Sequence, residues 1–213
     1  MEALQDYYNQ KIYGISKTRL KKLLKIAGDV RGLKILDIGC GNGYLGKFFK
    51  DRGASIVHGC DISDQMVGEA ENLLDRSFVF NIEKDDFDIL DKDYDLIIAT
   101  EIIEHLVFPD NFLKNISKIM SGQTEFILTT PNFLVWTNRI RMLLGKFEYR
   151  RSGFFDEGHL HFFSYRLLKK YLTKHNLRVV AEENVIHPKV PEWLGKLVPS
   201  LFVYQSVFKV KKI

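Results

Sequence analysis

The run LKILDIGCGNG, residues 33–43, joins a short apolar segment to three closely spaced glycines. A compact apolar run that ends in glycines is typical of a buried strand followed by a tight turn. Glycines in that position let the chain turn sharply and let a ligand lie directly against the backbone. The run therefore predicts a strand, a loop that binds a nucleotide-type cofactor, and a helix, in that order.

Segments of the same kind recur along the chain. Short apolar runs follow at residues 55–60, 78–81, 94–99 and 126–130. The intervening segments suit helices at 43–52, 64–74 and 110–120, and an earlier helix is predicted over 17–26. Strands that alternate with helices predict βαβ units and a parallel sheet with right-handed crossovers.

The pattern changes after Pro131. Residues 132–163 form an aromatic, basic stretch, 164–175 suit a helix, and 178–185 and 202–210 are strand candidates. A length of 213 residues fits one sizeable core better than two independent ones. We therefore predict a single domain over 1–213, made of an N-terminal helical segment (1–31), a cofactor-binding core (32–131), a lid or substrate insertion (132–163) and a C-terminal helix with strands (164–213).

Composition favours an ordinary globular protein, with 46% apolar and 27% charged residues. No apolar run approaches the roughly 20 residues of a membrane span, and MEALQDYYNQK at the start lacks the apolar core of a signal peptide. A cytoplasmic protein is therefore expected. Two cysteines, Cys40 and Cys60, do not make a disulfide framework, and both are predicted to be small core residues.

Charge is divided unevenly along the chain. Residues 1–131 carry 16 Lys and Arg against 21 Asp and Glu, whereas residues 132–213 carry 15 against 6. The basic part predicts an acceptor with phosphate or carboxylate groups, or peripheral contact with an anionic membrane surface. Scattered, solvated Lys and Arg side chains are the alternative.

Charge also distinguishes between the cofactors that bind such a glycine loop. The second strand ends at Asp61, where a carboxylate can accept hydrogen bonds from both ribose hydroxyls. The spacing Gly41-x-Gly43-x-x-Gly46 also satisfies the dinucleotide pattern, but a dinucleotide would place its diphosphate near the carboxylate of Asp37. S-Adenosylmethionine brings a sulfonium and an ammonium instead, so Asp37 favours that cofactor.

Four segments resemble the successive motifs of class I S-adenosylmethionine-dependent methyltransferases of the small-molecule type: LDIGCGNGYLGKFF, HGCDIS, YDLIIATEIIEHL and FILTTPN. Within that class, the chain most resembles two functional groups: the ubiquinone-biosynthesis O-methyltransferases and the methyltransferases of surface-sugar pathways. The resemblance implies an α/β, Rossmann-like seven-stranded sheet, order 3-2-1-4-5-7-6, with the last strand antiparallel and helices on both faces. It is specific for the class and not for the acceptor.

The resemblance also implies how the cofactor is held. Residues that match Asp37, Gly39 and Gly41 lie along its methionine part in the family. Asp61 would hold the ribose, and Ile62 would pack on the adenine. With neighbouring positions included, the candidate cofactor-binding residues are Asp37, Gly39, Cys40, Gly41, Gly43, Asp61, Ile62, Asn81, Ile82, Thr100 and Glu101.

One position departs from the family pattern. Such enzymes often have Asp after the third strand, where it reaches the adenine amino group. Here the run is Asn81-Ile82-Glu83. Asn81 and Glu83 are therefore alternative candidates for that contact.

His105 is the candidate catalytic residue. Methyl transfer from a sulfonium is an in-line displacement with an activated electrophile, so the protein chiefly aligns the nucleophile and, where needed, removes its proton. His105 follows the strand that ends at Thr100, and an imidazole suits proton removal at neutral pH. A buttressing role for Glu104-His105 is the alternative. Two adjacent residues are weak evidence for a metal site, and no metal is predicted.

Candidate acceptor-binding residues lie within 132–163. His159 and His161 stand among four phenylalanines, which suits either an apolar pocket wall or a core contact that anchors the helix capped by Ser164. Trp136 and its helix are a candidate lid. Arg150 is a candidate contact for an anionic acceptor because it belongs to a basic run balanced only by Glu148: Arg139, Arg141, Lys146, Arg150 and Arg151.

These observations predict an S-adenosylmethionine-dependent methyltransferase that acts on oxygen or nitrogen of a small molecule. A non-catalytic protein that binds S-adenosylmethionine for regulation is the alternative from another class. A nucleic-acid methyltransferase is disfavoured, because Thr130-Pro131-Asn132 is not the Asn/Asp-Pro-Pro-aromatic motif of amino-methylating nucleic-acid enzymes. No nucleic-acid partner is therefore expected.

Overall fold

A single mixed β-sheet organises the protein, and the computed structural model describes residues 15–151 and 153–213. The strands are β1 (Lys34–Ile38), β2 (Ile56–Asp61), β3 (Arg76–Val79), β4 (Leu96–Thr100), β5 (Glu125–Pro131), β6 (Leu177–Glu182), β7 (Val185–Ile186) and β8 (Val203–Lys212). Their order is β3-β2-β1-β4-β5-β8-β6, and β7 also pairs with β8. β1 to β5 are parallel, whereas β8 is antiparallel to β5 and β6.

Helices cover both faces of this sheet. Successive strand residues point to opposite sides, so the buried strands present apolar side chains to helices on each face. Ile35 of β1 packs in a core cluster with the helices over Lys17–Ala27 and Tyr44–Lys50, whereas Leu36 packs in a second cluster with the helices over Pro109–Ile119 and Tyr165–Lys174. The described helices are α1 (Lys17–Ala27), α2 (Tyr44–Lys50), α3 (Asp64–Ala70), α4 (Pro109–Ile119), α5 (Trp136–Leu143), α6 (Tyr165–Lys174), α7 (Glu192–Leu197) and α8 (Pro199–Phe202), with single 3₁₀ turns at Phe87–Ile89 and Ile103–His105.

The expected Rossmann-like topology is confirmed. β8 is the antiparallel strand between β5 and β6, and the two-residue β7 adds one short strand to the seven that were expected. The strand order reverses between β1 and β4, and ligands of doubly wound sheets bind outside the carboxyl ends of the strands at such a point. The glycine loop and the residues after β4 lie there.

The strand predicted over 178–185 is interrupted. The N–H of Glu183 donates to the carbonyl oxygen of Val207 at 3.1 Å, and the N–H of Val207 donates to Oδ1 of Asn184 at 3.0 Å. This local break in the ladder separates β6 from β7. The segment between β7 and β8, for which the sequence indicated no element, contains α7 and α8.

Several local predictions are confirmed. Oγ of Ser164 accepts the N–H of Leu167 at 3.1 Å and so caps α6. Cys40 and Cys60 are buried, form no disulfide, and have thiol pKa values raised by burial. The Cys40 side chain therefore belongs to the core beneath the loop.

Within the described part of the chain, no helix is both long and apolar enough to cross a membrane. Residues 1–14, which carry the expectation about a signal peptide and the start of the N-terminal segment, lie outside the described residues.

Candidate active site

The loop after β1 has a conformation that glycine adopts readily. The φ angles are +71° at Gly39, +52° at Gly41 and +79° at Gly43, all in the left-handed region. The N–H of Gly39 donates to the carbonyl oxygen of Cys60 at 2.7 Å, which ties the loop to β2. A Cβ added at Gly39 would lie 2.2 Å from Cδ1 of Ile102. The predicted turn is confirmed, and Gly43 is the residue from which α2 begins.

Asp61, at the end of β2, stabilises the glycine loop through hydrogen bonds to backbone N–H groups. Its Oδ2 accepts the N–H of Gly41 at 2.9 Å, and its Oδ1 accepts the N–H of Ser63 at 2.9 Å. Burial raises the pKa of Asp61, and these backbone hydrogen bonds oppose the rise. The N–H of Ile62 is a third backbone donor, and a carboxylate has about four acceptor sites, so Asp61 can also accept a ribose hydroxyl. The neighbouring Ile62 is half-buried.

Asp37 is a buried carboxylate without a counter-charge in the described structure. It is 1% exposed, and neither of its oxygens has a hydrogen-bond partner among the described residues. Burial, and then the charge of Asp61, raise the pKa of Asp37 to about 8. Ionising a buried acid is costly unless a cation neutralises it. This strand end therefore suits a positively charged ligand.

Glu101 follows β4 in a strained conformation, with a φ of +56° that is uncommon for a residue other than glycine. Its Oε1 accepts the hydroxyl of Thr129 at 2.8 Å, and its Oε2 lies 3.5 Å from Nη1 of Arg19 in α1. Backbone strain of this kind persists where surrounding contacts impose it, and it is common at functional sites. Thr100, the last residue of β4, is half-buried.

The segment after β3 forms a tight turn. Oδ1 of Asn81 accepts the N–H of Glu83 at 3.0 Å. Oε1 of Glu83 accepts the N–H of Phe108 at 2.9 Å, just before α4 begins. Ile82 packs against the core. Because Glu83 is engaged with the start of α4, Asn81 is the stronger of the two candidates for an adenine contact.

Glu104, His105 and His159 form a cluster beyond the end of β4. One donor atom from each lies within 4.8 Å of the others, and the two imidazole centroids are 4.7 Å apart. Glu104 is 1% exposed, and its Oε2 accepts the hydroxyl of Thr130 at 2.9 Å. Its Oε1 has no hydrogen-bond partner among the described residues. Burial, and then the charge of Glu101, raise the pKa of Glu104 well above its usual range.

Backbone hydrogen bonds bring the two halves of this cluster together. The carbonyl oxygen of Glu104 accepts the N–H groups of Leu160 and His161 at 2.9 and 3.0 Å. Nδ1 of His105 lies 2.8 Å from the carbonyl oxygen of Gly158 and donates to it. These bonds on either side of His159 hold its side chain beside His105, although more than 50 residues separate the two histidines in the sequence.

The other predicted acceptor residues have different neighbours. Nε2 of His161 lies 3.4 Å from the carbonyl oxygen of Val107, in the segment before α4. Trp136 packs edge to face on His187, with centroids 5.3 Å apart. Arg150 is exposed and pairs through its backbone with the segment 155–157. A lid role for Trp136 and an acceptor contact for Arg150 therefore stay predictions.

A small cavity of about 10 Å³ lies at the cluster, roughly the room of one water molecule. Its wall is mostly aromatic, as expected for residues 159–163, the HLHFF segment. Phe163, 4% exposed, also packs in the core, so the segment lines a cavity and anchors α6 as well. The lining residues are Glu104, Pro131, Phe133, Phe154, His159, His161, Phe162 and Phe163.

Comparison with known proteins identifies the family. The profile of the methyltransferase domain family matches residues 8–182. The chain belongs to this family. It is 29% identical over 140 residues to a ubiquinone biosynthesis O-methyltransferase from Coxiella burnetii, and that match covers 62% of this chain and 59% of the relative. A similar protein from Acinetobacter baylyi is 26% identical over 57% of this chain and 53% of its own length.

Solved structures show the same fold at low sequence identity. The magnesium protoporphyrin IX methyltransferase of Synechocystis PCC 6803, with S-adenosylhomocysteine bound, matches with a TM-score of 0.67 and 16% identity over 100% of this chain and 99% of that chain. An S-adenosylmethionine-dependent methyltransferase from Mesorhizobium loti matches with a TM-score of 0.66 and 17% identity over 91% and 95% of the two chains. The predicted class of methyltransferase is thus confirmed at the level of family and fold.

The residues of this methyltransferase domain fit S-adenosylmethionine. That molecule carries two cationic groups, and Asp37 is a buried carboxylate with no counter-charge among the described residues. A dinucleotide would instead add negative charge beside Asp37 and Asp61, whose carboxyl pKa values burial has already raised. The structure therefore supports the choice of cofactor that the charge of the sequence indicated.

Two parts of the site were missed by sequence analysis. Thr130, whose hydroxyl donates to Glu104, lies near the end of the central strand β5 and so carried a usable signal, its place at the carboxyl edge of the sheet. Arg19, which pairs with Glu101, carried none. Arg19 lies in α1, which is distant from Glu101 in the sequence, so only the tertiary structure shows that the two side chains meet.

Proposed function

We propose that the protein transfers the methyl group of S-adenosylmethionine to an oxygen or nitrogen of a small-molecule acceptor. The observation that carries the proposal is the buried carboxylate of Asp37 beside a glycine loop, at the same sheet edge as Glu104 and His105. An oxygen acceptor is favoured over nitrogen because the curated relatives are named O-methyltransferases.

The residues of the chain divide the work. S-Adenosylmethionine supplies an already activated methyl group. Asp37 neutralises its cationic end, and Asp61 holds both the loop and the ribose. The acceptor lies against His105 and His159. As the oxygen–carbon bond forms and the sulfur–carbon bond breaks, the sulfur keeps the electron pair and the proton of the acceptor passes to His105, which acts as the general base.

The test is product analysis with S-adenosylmethionine and a panel of phenols, sugars, carboxylates and amines. Formation of S-adenosylhomocysteine only when an acceptor is present, with a methylated product 14 mass units heavier, supports the proposal. Cofactor binding without turnover on any member of the panel supports the non-catalytic alternative. Turnover on RNA or DNA in place of small molecules would support a nucleic-acid methyltransferase.

Cofactor affinity is expected to depend on pH through Asp37. Its pKa of about 8 means that the ligand-free protein holds a proton there at neutral pH, and binding of a cation must expel it. The affinity for S-adenosylmethionine should therefore rise by up to about tenfold per pH unit between roughly pH 6 and 8 and then level off. Calorimetry at pH 7 in buffers of different ionisation enthalpy should detect release of nearly one proton. Binding without proton release at pH 7 would contradict this account.

We also propose that the acceptor is anionic and is attracted by the basic run between β5 and α6. Arg150 and Arg151 are its exposed members nearest the HLHFF segment. The double variant Arg150→Glu, Arg151→Glu should raise the KM of the acceptor and reduce its dependence on salt, because charge attraction is screened beyond about 8–10 Å at physiological ionic strength.

Exposed residues on α6 provide a matched control for this charge reversal. The pair Arg166→Glu, Lys170→Glu changes the net charge equally and lies on another element. It should alter the acceptor KM much less. Equal effects of the two double variants would assign the salt dependence to net charge, and unchanged KM values in both would remove the anionic-acceptor proposal.

A further inference from the structure

We propose that a second cavity, between α1, the turn from β6 to β7 and α7, binds a small zwitterion with an apolar side chain, such as a free amino acid. Its occupancy is transmitted to the active-site cavity at Glu104 through Asn132, so the ligand acts as a regulator rather than as an acceptor. Binding of the zwitterion is independent of the proposed function, whereas its effect on methyl transfer rests on that function.

This second cavity, the zwitterion cavity, is larger than the active-site cavity and separate from it. Its volume is about 200 Å³, against about 10 Å³ at Glu104, and no described residue lines both cavities. One buried water needs roughly 10–15 Å³ on this scale, so the larger cavity has room for on the order of a dozen water-sized positions. That space suits a small organic molecule of the size of an amino acid.

Charges of both signs line the zwitterion cavity. Carboxylates come from Glu182 and Glu183, at the end of β6 and just after it, and from Glu192 of α7. Ammonium groups come from Lys22 of α1 and Lys196 of α7. Because charges in a binding site complement those of the ligand, a molecule with one ammonium and one carboxylate matches this lining better than an ion of a single sign.

Lys22 is shared between two of these carboxylates. Its Nζ lies 2.7 Å from Oε1 of Glu192 and 3.4 Å from Oε2 of Glu183. The hydrogen bond from Lys22, and then the charges of Lys22 and Lys196, lower the pKa of Glu192, so both ammonium groups lie near this carboxylate. A ligand ammonium can therefore pair with Glu192 while Lys22 keeps Glu183, and the ligand carboxylate can pair with Lys196.

Three further residues give the cavity an apolar part. Tyr165, Ile186 and Pro199 also line it, and the hydroxyl of Tyr165 is already engaged, since it donates to Oε2 of Glu182 at 2.7 Å. The backbone of α7 lies close to β7, because a Cβ added at Gly195 would be 2.5 Å from Cδ1 of Ile186. This close approach fixes the charged groups of α7 beside the apolar part, which suits an apolar side chain on the zwitterion.

Asn132 connects the two cavities. Its side chain is fully buried, its Oδ1 accepts the N–H of Tyr165 at 3.1 Å, and its Nδ2 donates to the carbonyl oxygen of Val203 at 2.8 Å. Tyr165 lines the zwitterion cavity, whereas Pro131 and Phe133, the sequence neighbours of Asn132, line the active-site cavity. A ligand that shifts Tyr165 therefore acts on the wall of the active site through a single buried side chain.

Binding is tested with the full chain alone, without cofactor or acceptor. L-Phenylalanine is the probe, and 2-phenylethylamine and 3-phenylpropionate, which lack its carboxylate and its ammonium respectively, are the matched analogues. Calorimetry should give one site for L-phenylalanine with a Kd of about 1 mM or tighter, and each analogue should bind at least about tenfold more weakly.

Variants locate the site on α7. Glu192→Gln and Lys196→Gln each remove one lining charge from an exposed side chain, and each should weaken the binding of L-phenylalanine by about five- to tenfold. Glu69→Gln and Lys189→Gln are the controls, because they make the same changes of charge at exposed positions outside the cavity. Both controls should retain the wild-type affinity.

Amide hydrogen exchange measures the coupling without any methyl transfer. Addition of L-phenylalanine should change the exchange rates in 131–133 and 159–163 by at least about twofold in the wild type, and not in Lys196→Gln at the same concentration. With a working acceptor, the probe should also change the KM of that acceptor.

The outcomes separate this inference from the proposed function. Absence of binding, equal affinity for L-phenylalanine and both analogues, or an equal loss in the controls would overturn the site. Binding without a change in exchange would overturn the coupling through Asn132, and methylation of L-phenylalanine itself would contradict a regulatory role. Failure of methyl transfer to every acceptor removes only the proposed function, because binding and exchange are measured without it.

Discussion

Replacing Asp37 by Asn is expected to weaken S-adenosylmethionine binding by about 100- to 1,000-fold. The carboxylate is buried and has no hydrogen-bond partner among the described residues, so a cationic ligand is its natural counter-charge. Loss of one partner from a buried charge pair costs about 2–5 kcal/mol, and the expected change lies in the middle of that range, at about 3–4 kcal/mol. Calorimetric titration at pH 8, where wild-type Asp37 can ionise, is the measurement.

The same variant should be more stable than the wild type without cofactor. Because the folded pKa of Asp37 lies above its unfolded value of 3.8, the native state loses stability as pH rises from there to about 8. Asparagine does not titrate and avoids that loss. The melting temperature of Asp37→Asn at pH 8 should exceed that of the wild type by about 2–4 °C per kcal/mol of relieved charge burial.

Asp51→Asn is the matched control, since Asp51 is exposed at the end of α2 and pairs with Lys47. It should change neither cofactor affinity nor the pH dependence of stability appreciably. Near-normal binding by Asp37→Asn, or a lower melting temperature together with weak binding, would mean that Asp37 is a structural residue and would remove the central support for the cofactor site.

Replacing His105 should lower turnover by about 10²–10⁴-fold with little change in the affinity for S-adenosylmethionine. His105→Asn is the informative variant. Its amide can still donate to the carbonyl oxygen of Gly158, which Nδ1 now does at 2.8 Å, whereas the position of Nε2 is emptied. Single-turnover kinetics with a working acceptor, together with cofactor titration, separate the two effects.

A purely buttressing role for His105 predicts the opposite pattern. His105→Asn would then turn over normally, and His105→Ala would lose thermal stability because the segment 158–161 loses an anchor. His175→Asn, at the end of α6, serves as the control for loss of an imidazole elsewhere and should keep full turnover.

Much of the cofactor half of the site could be predicted from sequence. Gly39, Gly41 and Gly43 all have positive φ, and a conformational requirement of that kind is written locally in the residue type. Asp37 was assigned to a cationic ligand from its charge and its place at a strand end. Its burial, and the absence of a hydrogen-bond partner for its carboxylate within the described part of the chain, support that assignment.

Strand boundaries and contacts between distant segments were less predictable. Boundaries shifted where side chains compete with the ladder, as at Asn184, whose Oδ1 takes the N–H of Val207 and ends β6 early. Asp61 was expected to serve the ribose, yet its carboxylate also supports the loop through Gly41. Such contacts depend on atoms that are distant along the chain, so periodicity does not reveal them.

The sequence by itself determined the alternation of strands and helices, the glycine turn and the acidic character of the cofactor edge, because each depends on neighbouring residues alone. Only the tertiary structure decided which residues stand together beyond β4. Glu104 and His105 meet His159 because the backbone of 158–161 binds to the 3₁₀ turn at Ile103–His105. Hydrogen bonds between segments more than 50 residues apart are set by the packing of the whole domain, and no local pattern encodes them.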